Sequence, residues 1–178
     1  MSLPVPDPSL VALTAADLDG DGLRDLLSVS TAGLAILWNT PLGFQETEAL
    51  VTWLDPPDGL DENVPLPELV YTFTVMDLEG DGDTDVLVAL FGGPNQIFRN
   101  EGQRTFTDIT QEVGLADTGS LTFFVAPFAW DPDGGLRGLF VANDGLNAAN
   151  HAFRLEQDAA GGLAAVAVEP ILPACDGV

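Results

Sequence analysis

The sequence has no lysine, one histidine and one cysteine among 178 residues. A zinc site needs several Cys or His ligands, and nucleophilic catalysis needs a Ser or Cys beside a base, so these scarcities argue against both. His151 begins a short β-like run and is predicted to be a surface or turn residue. Cys175 has two interpretations, an inert small residue or half of a disulfide whose partner lies outside this sequence. We therefore expect no enzyme.

Positive charge is equally scarce. The sequence has five arginines and 28 acidic residues, which gives a net charge of −23. Such a surface repels phosphate backbones and anionic lipid headgroups, which argues against nucleic-acid and membrane partners. No apolar run is long enough to span a bilayer, and the N-terminal residues do not resemble a signal peptide. The chain is nevertheless 46% hydrophobic, so a packed core is expected rather than an acidic disordered tail.

Acidic residues are clustered in two segments that have the same spacing of carboxylates and glycines, residues 17–25 and 77–85. Carboxylates at positions 1, 3, 5 and 9, with glycine at position 6, repel one another unless a cation lies between them. Calcium prefers six to eight oxygen ligands, and a backbone carbonyl at position 7 adds to the shell. The predicted ligands of two Ca²⁺ sites are Asp17, Asp19, Asp21, Leu23 and Asp25, and Asp77, Glu79, Asp81, Asp83 and Asp85.

An EF-hand loop begins in the same way, but it requires a Glu at position 12 and helices on both sides. Position 12 is Ser28 in the first loop and Val88 in the second, both within apolar strand-like runs, so the EF-hand is rejected. Acidic turns without an ion remain an alternative. A third copy, Asp131–Gly138, lacks the acids of positions 5 and 9, and we predict no calcium there. Glu79 is predicted to alter the geometry of its site without abolishing it.

The loops belong to a longer repeat. Each unit consists of four short β-rich runs separated by turn residues, and no window shows helical periodicity. Four antiparallel strands repeated in this way predict an all-β fold of β-propeller blades. The predicted divisions are blade 1 (10–50), an acidic, Pro-rich inter-blade loop (51–68), blade 2 (69–120), blade 3 with the degenerate loop (121–170) and a link toward a further blade (171–178).

Three blades are too few to close a propeller, which typically has four to eight. We expect this sequence to be a segment of a larger propeller. The alternative is a small protein that closes by self-association.

The two acidic loops, Ile97-Phe-Arg-Asn100, Thr105-Phe-Thr-Asp-Ile-Thr110 and Leu139-Phe-Val-Ala-Asn-Asp144 resemble the FG-GAP/VCBS repeat family of β-propellers. Within that family the likeness is to extracellular proteins of the cartilage-acidic-protein and UnbV type. The resemblance implies structural calcium, an extracellular or cell-surface location, and adhesion to or recognition of a protein or glycan. An alternative is a non-catalytic propeller portion of a secreted polysaccharide- or lipid-degrading enzyme.

Overall fold

A computed structural model of the protein describes residues 10–30, 33–52, 70–90, 95–115, 122–129, 136–143, 150–159 and 162–168. This part of the chain is almost entirely β-structure, which confirms the all-β prediction. The elements are β1 (Leu10–Ala16), β2 (Asp25–Ser30), β3 (Gly33–Thr40), β4 (Gly43–Thr52), β5 (Val70–Met76), β6 (Asp85–Leu90), β7 (Gln96–Asn100), β8 (Phe106–Asp108), α1 (Thr110–Val113), β9 (Thr122–Ala129), β10 (Leu136–Asn143), β11 (His151–Gln157) and β12 (Leu163–Val168).

The strands form three four-stranded sheets, each in sequential order: β1 to β4, β5 to β8, and β9 to β12. All pairings are antiparallel, so each sheet is a meander of the kind found in a propeller blade. We call the sheets blade 1, blade 2 and blade 3. Each acidic loop connects the first strand of its blade to the second. The repeat seen in the sequence therefore corresponds to a repeat of structure.

Strand β6 shows why these runs are continuously apolar. Successive side chains of a strand point to opposite faces of the sheet. Val86 and Val88 pack in a core with residues of blade 1, while Leu87 and Ala89 pack in a second core with residues of blade 3. A strand covered on both faces has no polar side to alternate with. The two hydrophobic cores of the described residues thus lie between neighbouring blades.

The outer blades are covered less evenly. In β2, Leu27 and Val29 are fully buried against blade 2, whereas Leu26 and Ser28 are only partly buried. Large apolar side chains with substantial exposure also occur on strands of the outer blades, namely Leu13, Phe124 and Val166.

Two boundaries differ from the sequence prediction. Strand β4 continues to Thr52, two residues into the segment assigned to the inter-blade loop. The fourth β-rich run of the second unit is Thr105–Thr110, and the sequence predicts a strand over it, but β8 covers only three residues and is followed by the helical turn α1. Ile109 is the reason, because its buried side chain anchors the start of the turn in the blade 2–blade 3 core. Helices of the described residues are too short and too polar to cross a bilayer.

Candidate metal centre

The first acidic loop is folded around the carboxylate of Asp17. Its Oδ1 accepts a hydrogen bond from the backbone N–H of Gly20 and its Oδ2 one from that of Gly22, each at 2.9 Å. Both glycines have positive φ, +75° and +86°, a region that other residues rarely adopt. The chain can therefore turn sharply enough for its acids to lie on the inside of the curve.

Three of these acids converge. Asp17, Asp19 and Asp21 each offer one carboxylate oxygen, and the three oxygens lie within 4.8 Å of one another. Calcium–oxygen distances are about 2.3–2.6 Å, so two oxygens on one ion are separated by at most about 5 Å. The spacing therefore fits a shared hard cation. Each oxygen retains a second lone pair for an ion when the first accepts a backbone N–H.

Asp25, the acid at position 9, has a different environment. It is fully buried, and its Oδ2 accepts from Leu18 N at 2.9 Å while its Oδ1 accepts from Asn39 N at 2.8 Å. Burial raises the pKa of Asp25 above its usual value, although the two backbone hydrogen bonds oppose the shift. Asp25 thus connects the loop to the end of β3. Its role as a metal ligand, and that of the Leu23 carbonyl, stay predictions.

The second loop repeats this backbone arrangement. Asp77 Oδ1 accepts from Gly80 N at 2.6 Å, and its Oδ2 accepts from Gly82 N at 2.9 Å. Asp85 is fully buried and accepts from Leu78 N at 2.7 Å and from Asn100 N at 2.8 Å. The two loops therefore have equivalent hydrogen bonds at their first and ninth positions.

The two loops differ at position 3. The side chain of Glu79 is one methylene longer; its carboxyl lies near the buried Asp85, and its Oε1 is 3.8 Å from Arg99 Nε. Burial, reinforced by neighbouring acids, raises the pKa of Glu79 to about 7 and that of Asp85 to about 6. Within the described residues, only the first loop brings three acidic oxygens within 4.8 Å. The ligand set predicted for the second loop stays a prediction, with its third-position acid turned toward the ninth.

Comparison with known families supports this repeat. Residues 77–136 match the family model of an FG-GAP-like repeat. The match begins at the first aspartate of the second loop and ends at the first residue of β10, so it covers one period of the repeat. Curated proteins gave no match to the chain. The narrower likeness to cartilage-acidic-protein and UnbV-type proteins has no support from these comparisons.

The third copy of the loop lies largely outside the described residues, so the prediction that it binds no calcium stays a prediction. Its last residue is described. Gly138 is buried in β10 opposite Phe128, and a Cβ at Gly138 would approach the Phe128 ring to 2.5 Å. Gly138 has the repeat position that Asp25 and Asp85 have in blades 1 and 2. In blade 3 the Phe128 ring therefore occupies the space that a side chain at this position would need. This explains why the repeat has glycine there.

Sequence reasoning missed the partner of the buried aspartates. Asn39 and Asn100 occupy the same place near the ends of β3 and β7, and each donates its backbone N–H to the ninth-position aspartate of its blade. The corresponding residue of blade 3, one after the Gly138 partner Arg154, is Leu155. Asparagine occurs at this position in the two blades that have the aspartate, but the bond uses the backbone N–H, which every residue except proline has. The residue type therefore gave no signal for this contact.

Two further predictions concern single residues. His151 begins β11 and is half-buried, with its ring centroid 6.0 Å from that of Phe153. Cys175, the segment 171–178 and residues 53–68 of the predicted inter-blade loop lie outside the described residues. Neither interpretation of the cysteine is affected.

Proposed function

We propose that this chain is a calcium-binding propeller segment of an extracellular or cell-surface protein, and that its role is non-catalytic. The observation that carries the proposal is the convergence of Asp17, Asp19 and Asp21 within 4.8 Å. In water such a cluster is unfavourable unless a cation balances it. The FG-GAP-like repeat matched over residues 77–136 gives independent support.

The ion would supply positive charge and the loops would supply its oxygen ligands, and we propose that binding stabilises the fold. In the first loop Asp17, Asp19 and Asp21 hold it, with the Leu23 carbonyl and Asp25 completing the predicted set. In the second loop the set is Asp77, Glu79, Asp81, the Asp83 carbonyl and Asp85. An assembled site exists only in the folded chain, so binding adds to the free energy of unfolding.

The proposed location and partners are consistent with the same chemistry. Extracellular calcium modules typically bind with dissociation constants of about 10⁻⁴–10⁻³ M, where external calcium is sufficient to fill them. A net charge of −23 disfavours nucleic acid and anionic membrane surfaces. We propose that the partner is a protein or a glycan and that the blades act as an adhesion or interaction scaffold.

Calorimetry tests the calcium proposal. Wild-type protein titrated with calcium chloride is expected to show two sites, and Asp19→Ala and Asp81→Ala are each expected to remove one. At a calcium concentration about 100 times the dissociation constant, each site adds about 2.7 kcal/mol to the free energy of unfolding. Glu112→Gln, which removes an exposed acid of α1, is the matched control and should retain both sites.

The melting temperature provides the second measurement. Excess chelator should lower it by several degrees in the wild type and by less in either single-site variant. A melting temperature that is the same with calcium and with chelator, together with no heat of binding, rejects the proposal.

A further inference from the structure

Two residues of blade 2 contact the first acidic loop, which belongs to blade 1. Asn100 Nδ2 donates a buried hydrogen bond to the Leu18 carbonyl at 2.8 Å. Arg104 donates to Asp19 Oδ2 through Nε at 2.8 Å and through Nη2 at 2.6 Å. Asn100 is the last residue of β7, and Arg104 lies in the turn that connects β7 to β8. The loop that carries the candidate ion site is therefore held by the neighbouring blade.

The position of Arg104 is well defined by its surroundings. Its guanidinium carbon lies 4.7 Å from the ring centroid of Trp38, which is buried in the core between blades 1 and 2. The turn is closed by hydrogen bonds from Glu101 N to Thr105 O and from Thr105 N to Gly102 O. Arg104 itself has φ of +65°, an uncommon conformation for a residue other than glycine. The guanidinium is held between an aromatic face and a carboxylate whose side chain is only 8% exposed.

In blade 2 the arginine near the third-position acid belongs to the same blade, and its guanidinium hydrogen-bonds Glu101, through Nε at 2.8 Å and through Nη2 at 2.6 Å. The third-position acid, Glu79, faces this arginine, Arg99, which lies on β7 of the same blade. The residue of β3 equivalent to Arg99 is Trp38, since each directly precedes the asparagine that donates to the buried aspartate. Blade 1 thus has an aromatic ring where blade 2 has an arginine. The ring supports an arginine that reaches across from blade 2.

We propose that Arg104 is a positioning residue for the first-loop cation site, so that ion binding in blade 1 depends on its contact with blade 2. The inference rests on the proposed function. Arg104 fixes one oxygen of Asp19 and reduces the repulsion between Asp19 and its neighbours Asp17 and Asp21 before an ion arrives. Groups that hydrogen-bond a ligating carboxylate orient it, and their loss typically lowers metal affinity about 10–100-fold. By reciprocity, the ion strengthens the contact between the blades by the same factor.

The test isolates the first site. Asp81→Ala removes the second-loop site, and calcium is then titrated calorimetrically into this background and into the same background with Arg104→Gln. Affinity is expected to fall about tenfold or more in the Arg104→Gln protein. Arg154→Gln is the matched control, because Arg154 pairs with Glu156 in blade 3, away from both loops. It should leave the affinity unchanged.

A second variant keeps the test informative if Arg104→Gln folds poorly. Arg104→Lys retains the charge but replaces the two-pronged guanidinium by a single ammonium, so an intermediate loss of affinity is expected. Far-UV circular dichroism and thermal melting without calcium verify that each variant is folded.

The possible results separate the two proposals. If the Asp81→Ala background itself binds no calcium, the first-loop site and this inference both fail. If that background binds calcium and a folded Arg104 variant binds it equally well or more tightly, the positioning role alone is overturned.

Discussion

The first and second acidic loops have the same hydrogen bonds at positions 1 and 9, yet the acid at position 3 has different surroundings in each. In blade 1, Asp19 lies with the other acids of its loop and is bound by Arg104 of the next blade. In blade 2, Glu79 turns toward the buried Asp85 and Arg99 of its own blade. The two loops therefore differ by one methylene at position 3 and by the blade that provides the arginine near that acid.

The largest expected loss of stability comes from the buried aspartate that both loops have at position 9. Asp25→Ala and Asp85→Ala each leave two backbone N–H groups without their acceptor in a buried environment. An unsatisfied buried donor costs about 1–3 kcal/mol, so each variant should lose about 3–5 kcal/mol of unfolding free energy. Urea denaturation in calcium-free buffer measures the loss.

Asp83→Ala is the control for these variants, because it removes an acid of the same loop whose predicted ligand is the backbone carbonyl. It should cost less than about 1 kcal/mol. The losses of unfolding free energy in Asp25→Ala and Asp85→Ala should be similar. If the two losses differ by more than the expected loss itself, the two loops are not equivalent at position 9.

The pH dependence of stability is the next largest effect and distinguishes the loops. Burial raises the pKa of Glu79 to about 7 and that of Asp85 to about 6, above their usual values of 4.5 and 3.8. The folded state therefore binds more protons than the unfolded state between about pH 4 and pH 7. The free energy of unfolding must fall as pH rises through this window, by on the order of a few kcal/mol.

Glu79→Gln tests this assignment in calcium-free buffer. The variant has no ionisable group at position 79, so its stability should decline less between pH 5 and pH 7.5 than that of the wild type. Saturating calcium should also flatten the wild-type curve. Parallel curves for the wild type and Glu79→Gln would show that the Glu79–Asp85 pair is not the source of the slope.

Blade 3 offers a smaller effect at the same position. Gly138→Asp restores the acid that the repeat pattern lacks, but the added Cβ would meet the Phe128 ring. Overpacking of this kind typically costs about 1–3 kcal/mol. Thermal melting should show destabilisation, and calcium titration should show no additional site. A stable variant with a third site would mean that the Phe128 ring moves aside.

Glu79→Asp carries the smallest expected effect. The shorter side chain no longer reaches Asp85, so the second loop should resemble the first and bind calcium more tightly, by up to about tenfold or 1.4 kcal/mol. Calorimetric titration in the Asp19→Ala background measures the second site alone. Unchanged affinity would indicate that the turn of Glu79 toward Asp85 has no consequence for ion binding.

Much of this arrangement was predictable because the signals are local. Carboxylates at alternating positions with glycine between them place Asp17, Asp19 and Asp21 inside one curved loop whatever surrounds it. Continuous apolar runs such as Val86–Leu90 indicate strands buried on both faces. The helical turn α1 was missed, because four residues are too few to show a helical period and Ile109 enters the core only through tertiary packing.

The sequence by itself determined the all-β class, the repeating unit and the clustered acids, since strand periodicity, turn chemistry and charge repulsion all act over a few residues. Only the tertiary structure decided what surrounds each acid. The buried Asp25 and Asp85 accept hydrogen bonds from backbone N–H groups 7 to 15 residues away in their own blades, whereas Asp19 meets Arg104 across 85 residues of chain. The contact of Asp19 with Arg104 depends on how one blade packs on the next, and no local pattern records that packing.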